Sequence, residues 1–254
     1  MYHYQYVSKR EAAPYKELLI SIIHQVQNSV RDKFTFQFAF IGSSKRDMIT
    51  YDPLTNKGFD FDVDIEVNDD DENYSPKDIR IILRNAFNKI APIYGYSFCE
   101  DSTRVFTIKQ VTYPSSIPGL TTWKILKPEL TKNYCQPLAS GTIIRENSTG
   151  IFNEGSIVQQ PRIIYSCDFA VIYNGKRQQY IRYNKTTGAY TWEYKKHSNK
   201  ELEKRANTLK KNGYWNEVRD IYLYKKNTND IPQKRSMSLY AETINECYRR
   251  HFYR

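Results

Sequence analysis

The chain has 254 residues, enough for one large domain or two small ones, and its 40% hydrophobic content supplies a real core. The four cysteines, Cys99, Cys135, Cys167 and Cys247, stand far apart with no CxxC pair, which argues against a zinc site or a disulfide framework. The start lacks the uninterrupted apolar stretch of a signal peptide and no later run is long enough to span a bilayer, so the sequence predicts a cytoplasmic protein with reduced thiols and no membrane partner.

Residues 12–31 carry Leu19, Ile22, Ile23, Val26 and Val30 at helical spacing, which predicts an amphipathic helix lying on a core. The stretch 34–41 (FTFQFAFI) alternates like a strand and runs into a Gly42-Ser43-Ser44 turn. A second strand is predicted over 58–67 (GFDFDVDIEV), then a helix over 75–93 that opens on Ser75 and Pro76 and ends near Pro92. Strands are predicted over 103–111 and 161–174. The polar segment between them, residues 113–160, is longer than an ordinary connection and reads as a functional flap or a mobile insertion.

A hairpin is predicted over 177–194 around Lys185-Thr186-Thr187-Gly188. Three helical patterns follow, over 199–213, 215–226 and 236–252. The expected fold is α+β: a mixed sheet with flanking helices over residues 1–196, carrying the 113–160 insertion, followed by a smaller helical lobe over 197–254.

In a strand, alternate side chains share a face, so Asp60, Asp62, Asp64 and Glu66 project to one side while Phe61, Val63, Ile65 and Val67 project to the other. A polar, solvated sheet face also alternates, but it would usually mix Thr, Lys and Ser. Four acids in register repel one another, and a bound cation relieves that repulsion. Asp168 sits in an almost wholly apolar strand, where a carboxylate must be paired or bound to metal. Two aspartates two apart on one strand, with a third from a neighbouring strand, suit a pair of magnesium or manganese ions in phosphoryl transfer. Gly42 permits close backbone approach, and the exposed amides and the Ser43 hydroxyl can cradle phosphate oxygens.

The order Gly42-Ser43-Ser44, then Asp60-Phe61-Asp62-Val63-Asp64, then Cys167-Asp168-Phe169-Ala170-Val171 resembles the nucleotidyltransferase fold of the DNA polymerase beta superfamily. The late third acid and the trailing helices look most like the branch of oligoadenylate synthases, cyclic GMP-AMP synthase and bacterial cyclic-dinucleotide-forming nucleotidyltransferases. The resemblance implies that Asp60, Asp62 and Asp168 hold two Mg2+ or Mn2+ ions and that Gly42, Ser43 and Ser44 meet the donor triphosphate. The stretch from Ser43 to the acids is longer than the family's, and the run of aspartates leaves Asp62 with Asp64 as an alternative pair. Asp60 with Asp62 is preferred because that pair stands at the strand's mouth. In 235–244 (RSMSLYAETI), Ser238 and Tyr240 resemble a family serine on phosphate and a tyrosine stacked on the donor base.

From Tyr173 onward there are 19 Lys/Arg against 8 Asp/Glu, so the whole basic excess lies in the last third. Lys210, Lys211, Lys225 and Lys226 could supply phosphate charge, and Tyr180, Tyr183, Tyr190 and Tyr194 could stack on bases or simply pack the hairpin. The expected activity is transfer of a nucleoside monophosphate from a nucleoside triphosphate to a hydroxyl, with a nucleotide as acceptor. The alternatives are an RNA- or tRNA-modifying nucleotidyltransferase and a relic that only binds nucleic acid.

Overall fold

The computed structural model describes residues 2–54, 58–69, 73–112, 162–195, 200–229 and 234–253. The expected 113–160 insertion and the lobe boundary near residue 197 lie outside them.

The short strand β1 (Gln5–Tyr6) leads into α1 (Lys9–Val30). That helix starts three residues before the expected position because Ser8 and Glu11 form a capping box, each side chain bonded to the other residue's amide. Strand β2 (Thr35–Ile41) is followed by α2 (Gly42–Arg46), a single short helix where the sequence suggested only a turn. Next come β3 (Thr50–Tyr51), β4 (Phe59–Asn68) and α3 (Pro76–Ile90), the last capped by Ser75 and Asp78 and continued by a 3-10 turn over Ala91–Tyr94. Strands β5 (Glu100–Asp101) and β6 (Val105–Thr112) precede β7 (Arg162–Asn174) and the hairpin of β8 (Gln178–Tyr183) and β9 (Tyr190–Tyr194). Helices α4 (Lys200–Lys211), α5 (Trp215–Asn227) and α6 (Ser236–Phe252) complete the chain.

Among the described residues, seven strands form one mixed sheet in the order β2-β4-β7-β6-β5, with β8 pairing the end of β7 and β9 pairing β8. The β4–β7 pair is parallel, and its neighbours β2–β4 and β6–β7 are antiparallel. One face of this sheet is apolar. Phe61, Val63, Ile65 and Val67 of β4, with Phe106, Ile108, Phe169 and Val171, pack under Leu19, Ile22, Ile23 and Val26 of α1 and Ile79, Leu83 and Phe87 of α3. A second apolar cluster gathers Leu202, Leu209, Val218, Ile244 and Cys247 from the last three helices together with Met48, and Tyr6 packs against it. A two-stranded ladder of β1 and β3 thus ties the chain's start and the segment after α2 to the helical cluster.

The three described cysteines, Cys99, Cys167 and Cys247, are unbonded and buried. Among the described residues no helix is long and apolar enough to cross a membrane.

The apolar face sets the carboxylates on the opposite face in place. Phe169, the residue after Asp168, stacks on Phe106 (ring centroids 5.1 Å) and meets Phe87 at a tilt (4.4 Å). Phe169→Ala should lower unfolding free energy by about 3–5 kcal/mol in a urea titration, because it removes one ring of this buried cluster and leaves a cavity. A loss below about 1 kcal/mol would mean that this layer does not support β7.

Candidate active site

Strand register builds the polar face row by row. The first row holds Asp60, Ser166 and Lys109; the second holds Ile41, Asp62, Asp168 and Thr107; the third holds Ala39, Asp64, Ala170 and Val105. Asp62 and Asp168 are Cα partners across the parallel pair, which sets two carboxylates abreast with Asp60 one row away. Asp60 is exposed and Asp64 buried, so the mouth of the cleft lies at the Asp60 end.

Three like charges in one cleft repel, and the outer two turn to neighbouring hydroxyls: Ser166 donates to Asp60, and Thr107 Oγ1 donates to Asp168 Oδ1 at 2.5 Å. Among the described residues, no hydroxyl is bonded to Asp62 in this way. Burial first, then the charges of Asp168 and Asp60, push its carboxyl up to about 6. Burial also raises Asp168, against the pull of the Thr107 bond and of Lys109. The side chains are splayed: among the described residues, no three or more His, Cys, Asp or Glu side chains already converge to hold a metal ion. The donor set nonetheless fits a hard divalent cation. It is all oxygen, its mutual repulsion is what a cation relieves, and Gly42 lets the Asp62 carboxylate lie directly against the backbone.

That glycine is required twice over. Its φ is +63°, and a Cβ at position 42 would collide with the Asp62 carboxylate. Ser43 and Ser44 follow in α2, half-buried, one turn from the acids. Arg46 at the end of α2 lies over the Tyr240 ring, 4.2 Å from its centroid, and reaches Met237 Sδ at 3.5 Å. Its charge also acts on Asp62, in the direction that keeps the carboxylate ionised.

The helical residues suggested by resemblance are arranged differently. Tyr240 is buried in the helical cluster beneath Arg46, and Ser238 is exposed. Ser236, two residues earlier, lines a cavity of about 240 Å³ together with Tyr2, Tyr4, Lys226, Lys234 and Arg235. Lys226 Nζ sits 4.1 Å from the Tyr4 ring centroid and donates to Thr50, and burial pulls its ammonium down to about 8. The Asp60 charge acts on both Lys226 and Tyr4 of this lining. Of the other lysines, Lys225 pairs with Glu246 at 2.7 Å, Lys210 lies over Trp215 and Lys211 is exposed.

The hairpin tyrosines serve local packing. Tyr183 stacks on Tyr190, which bonds Asp101 at 2.7 Å, and Tyr180 bonds Glu193 at 2.8 Å, while Tyr194 is exposed. Sequence reasoning overlooked Thr107, Ser166, Arg46 and Lys195, whose Nζ meets Asp64 Oδ2 at 3.0 Å. Only Ser166 carried a signal, since it stands two residues before Asp168 and therefore on its face.

The architecture is that of a polymerase-beta-type nucleotidyltransferase. It matches the fold of Vibrio cholerae DncV, a cyclic AMP-GMP synthase. The match to DncV in complex with the linear intermediate 5' pppA(3',5')pG has a TM-score of 0.55 at 13% identity over 94% of this chain and 67% of that one. A second DncV structure, described as a prokaryotic cGAS homolog, gives 0.51 at 12% identity over the same shares. The 3'-deoxy ATP-bound form gives 0.47 at 14% identity over 89% of this chain, which spans only 50% of its length. At the level of fold, the chain is similar to these DncV structures. No protein-family model matches the sequence, and comparison with curated proteins finds no match.

Asp62 gives this site a stability signature. With its folded value raised from 3.8 to about 6, the folded state binds the proton more tightly than the unfolded chain. The resulting contribution to stability is full below about pH 4 and is lost as pH rises through 6. Metal-free Asp62→Asn should therefore be more stable than the parent at pH 7.5, by up to about 3 kcal/mol, with the advantage fading near pH 4. Urea titrations at the two pH values decide it, and an equal effect at both would contradict the electrostatic origin.

Proposed function

We propose that the chain is a metal-dependent nucleotidyltransferase that moves a nucleoside monophosphate from a nucleoside triphosphate to a hydroxyl of a second nucleotide, forming a short or cyclic oligonucleotide. The observation that carries this reading is the register of Asp62 with Asp168, one row from Asp60 and against the Gly42 turn, on a nucleotidyltransferase fold.

Asp60, Asp62 and Asp168 would hold two Mg2+ or Mn2+ ions. Bound there, such ions supply charge neutralisation for the triphosphate and a lower pKa for the attacking hydroxyl. Gly42, which has no side chain, would let a phosphate approach the backbone, and Ser43 at the start of α2 would offer its hydroxyl. Lys226, Lys234 and Arg235, with Ser236, offer the cations and hydroxyl that hold the remaining phosphates in the cavity they line. Asp168, its pKa raised by burial and its orientation held by Thr107, is suited to accept the proton of the attacking hydroxyl. Arg46 would hold α2 and α6 together under the donor, so the two parts of the chain close on one nucleotide.

Incubating the chain with all four nucleoside triphosphates and Mg2+ or Mn2+, with and without RNA, should yield a small oligonucleotide from free triphosphates alone. Asp60→Asn, Asp62→Asn and Asp168→Asn should each cut the rate by about 10³-fold or more, while Asp64→Asn costs about tenfold or less. Full turnover by Asp62→Asn would sink the carboxylate assignment. Label that appears only on added RNA would replace the nucleotide acceptor with RNA.

A further inference from the structure

We propose that Lys195 is a positioning residue that fixes which two aspartates of β4 take part in metal binding, by holding Asp64 out of the set. The inference rests on the metal reading above and concerns a choice which that reading leaves open. Asp62 lies between Asp60 and Asp64 on one face of one strand, with equal spacing to each. A metal pair could therefore form on either side of Asp62, and a site that slid to the Asp64 side would carry its ions away from the cleft mouth at Asp60.

The neighbours of Asp64 break the tie. Its Cα partners are Ala39 on β2 and Ala170 on β7, so both flanks of the third row are small. Lys195, directly after β9, reaches across that gap, and its Nζ pairs with Asp64 Oδ2 at 3.0 Å. The base of that reach is fixed by a backbone bond from Lys195 N to Gln178 O at 2.9 Å, which extends the β8–β9 ladder by one residue. The Asp64 carboxylate is 11% exposed, so the ammonium is its neutralising partner in a place where an unpaired charge is costly. Asp60, by contrast, has no ion pair among the described residues: it accepts a bond from the uncharged Ser166 hydroxyl and feels the Lys226 charge without pairing with it. One acid is thus neutralised and covered, and the other keeps its charge for a cation.

Manganese binding to the full chain, without nucleotide, tests this through loss of the free-ion electron paramagnetic resonance signal. Asp60→Asn should weaken binding by about tenfold or more, since the working pair is broken. Adding Lys195→Met should bring affinity back to within about threefold of wild type, because a freed Asp64 then pairs with Asp62. Adding Asp64→Asn to that double variant should remove binding again, and Lys195→Arg, which keeps the charge, should leave the Asp60→Asn defect in place. Circular dichroism melts identify the folded variants. Where Lys195→Met does not fold, Lys195→Gln carries the same expectation. A folded Asp60→Asn, Lys195→Met chain that stays as weak as Asp60→Asn overturns the proposal while the metal site stands. A wild-type chain that binds no manganese overturns the metal site, and the proposal with it.

Discussion

Asp62 and Asp168 face each other as Cα partners across the parallel β4–β7 ladder, and much of the molecule can be understood as what it takes to hold two carboxylates side by side. Parallel strands need a crossover, and here the long connection between β4 and β7 carries α3, which returns to cover the apolar face. The rings of Phe87, Phe106 and Phe169 then fix β7 from behind. On the front, hydroxyls from β6 and β7 take up the two outer carboxylates, and the central one keeps a raised pKa. The fold thereby stores electrostatic tension at one point of the sheet, the pattern expected where function competes with stability.

Positive charge is distributed to match. Arg46, Lys226 and Lys109 each act on one of the three acids, and Lys195 neutralises the fourth. They come from α2, α5, β6 and the end of β9, so distant parts of the chain are drawn to the same cleft. Arg46 and Met48 also bring the segment after β2 into contact with α6 and the helical cluster.

Much of this was legible in the sequence, for reasons that can be named. The period-two row from Asp60 to Glu66 and the helical periods of α1 and α3 are local signals, and local signals survive in a single sequence. Asp168 stood out because a lone acid in an apolar strand needs a partner. Thr107, Arg46 and Lys195 could not be read. Their roles depend on which strand pairs with which, and in what register, and that pairing joins residues far apart in the chain. The resemblance pointed to Ser238 and Tyr240 of α6, where Ser238 is exposed, Tyr240 is buried beneath Arg46 and Ser236 lines the cavity.

The same ladder has a consequence during synthesis of the chain. Strand β4 is made long before β7, so until β7 arrives one edge of β4 has no pairing partner. An unpaired, half-apolar edge invites neighbouring chains to join it. Along this strand, however, every second residue from Asp60 to Glu66 is an acid, and stacked copies would bring like charges into register. The acidic row that contains Asp60 and Asp62 therefore also disfavours edge-to-edge pairing of growing chains through this strand.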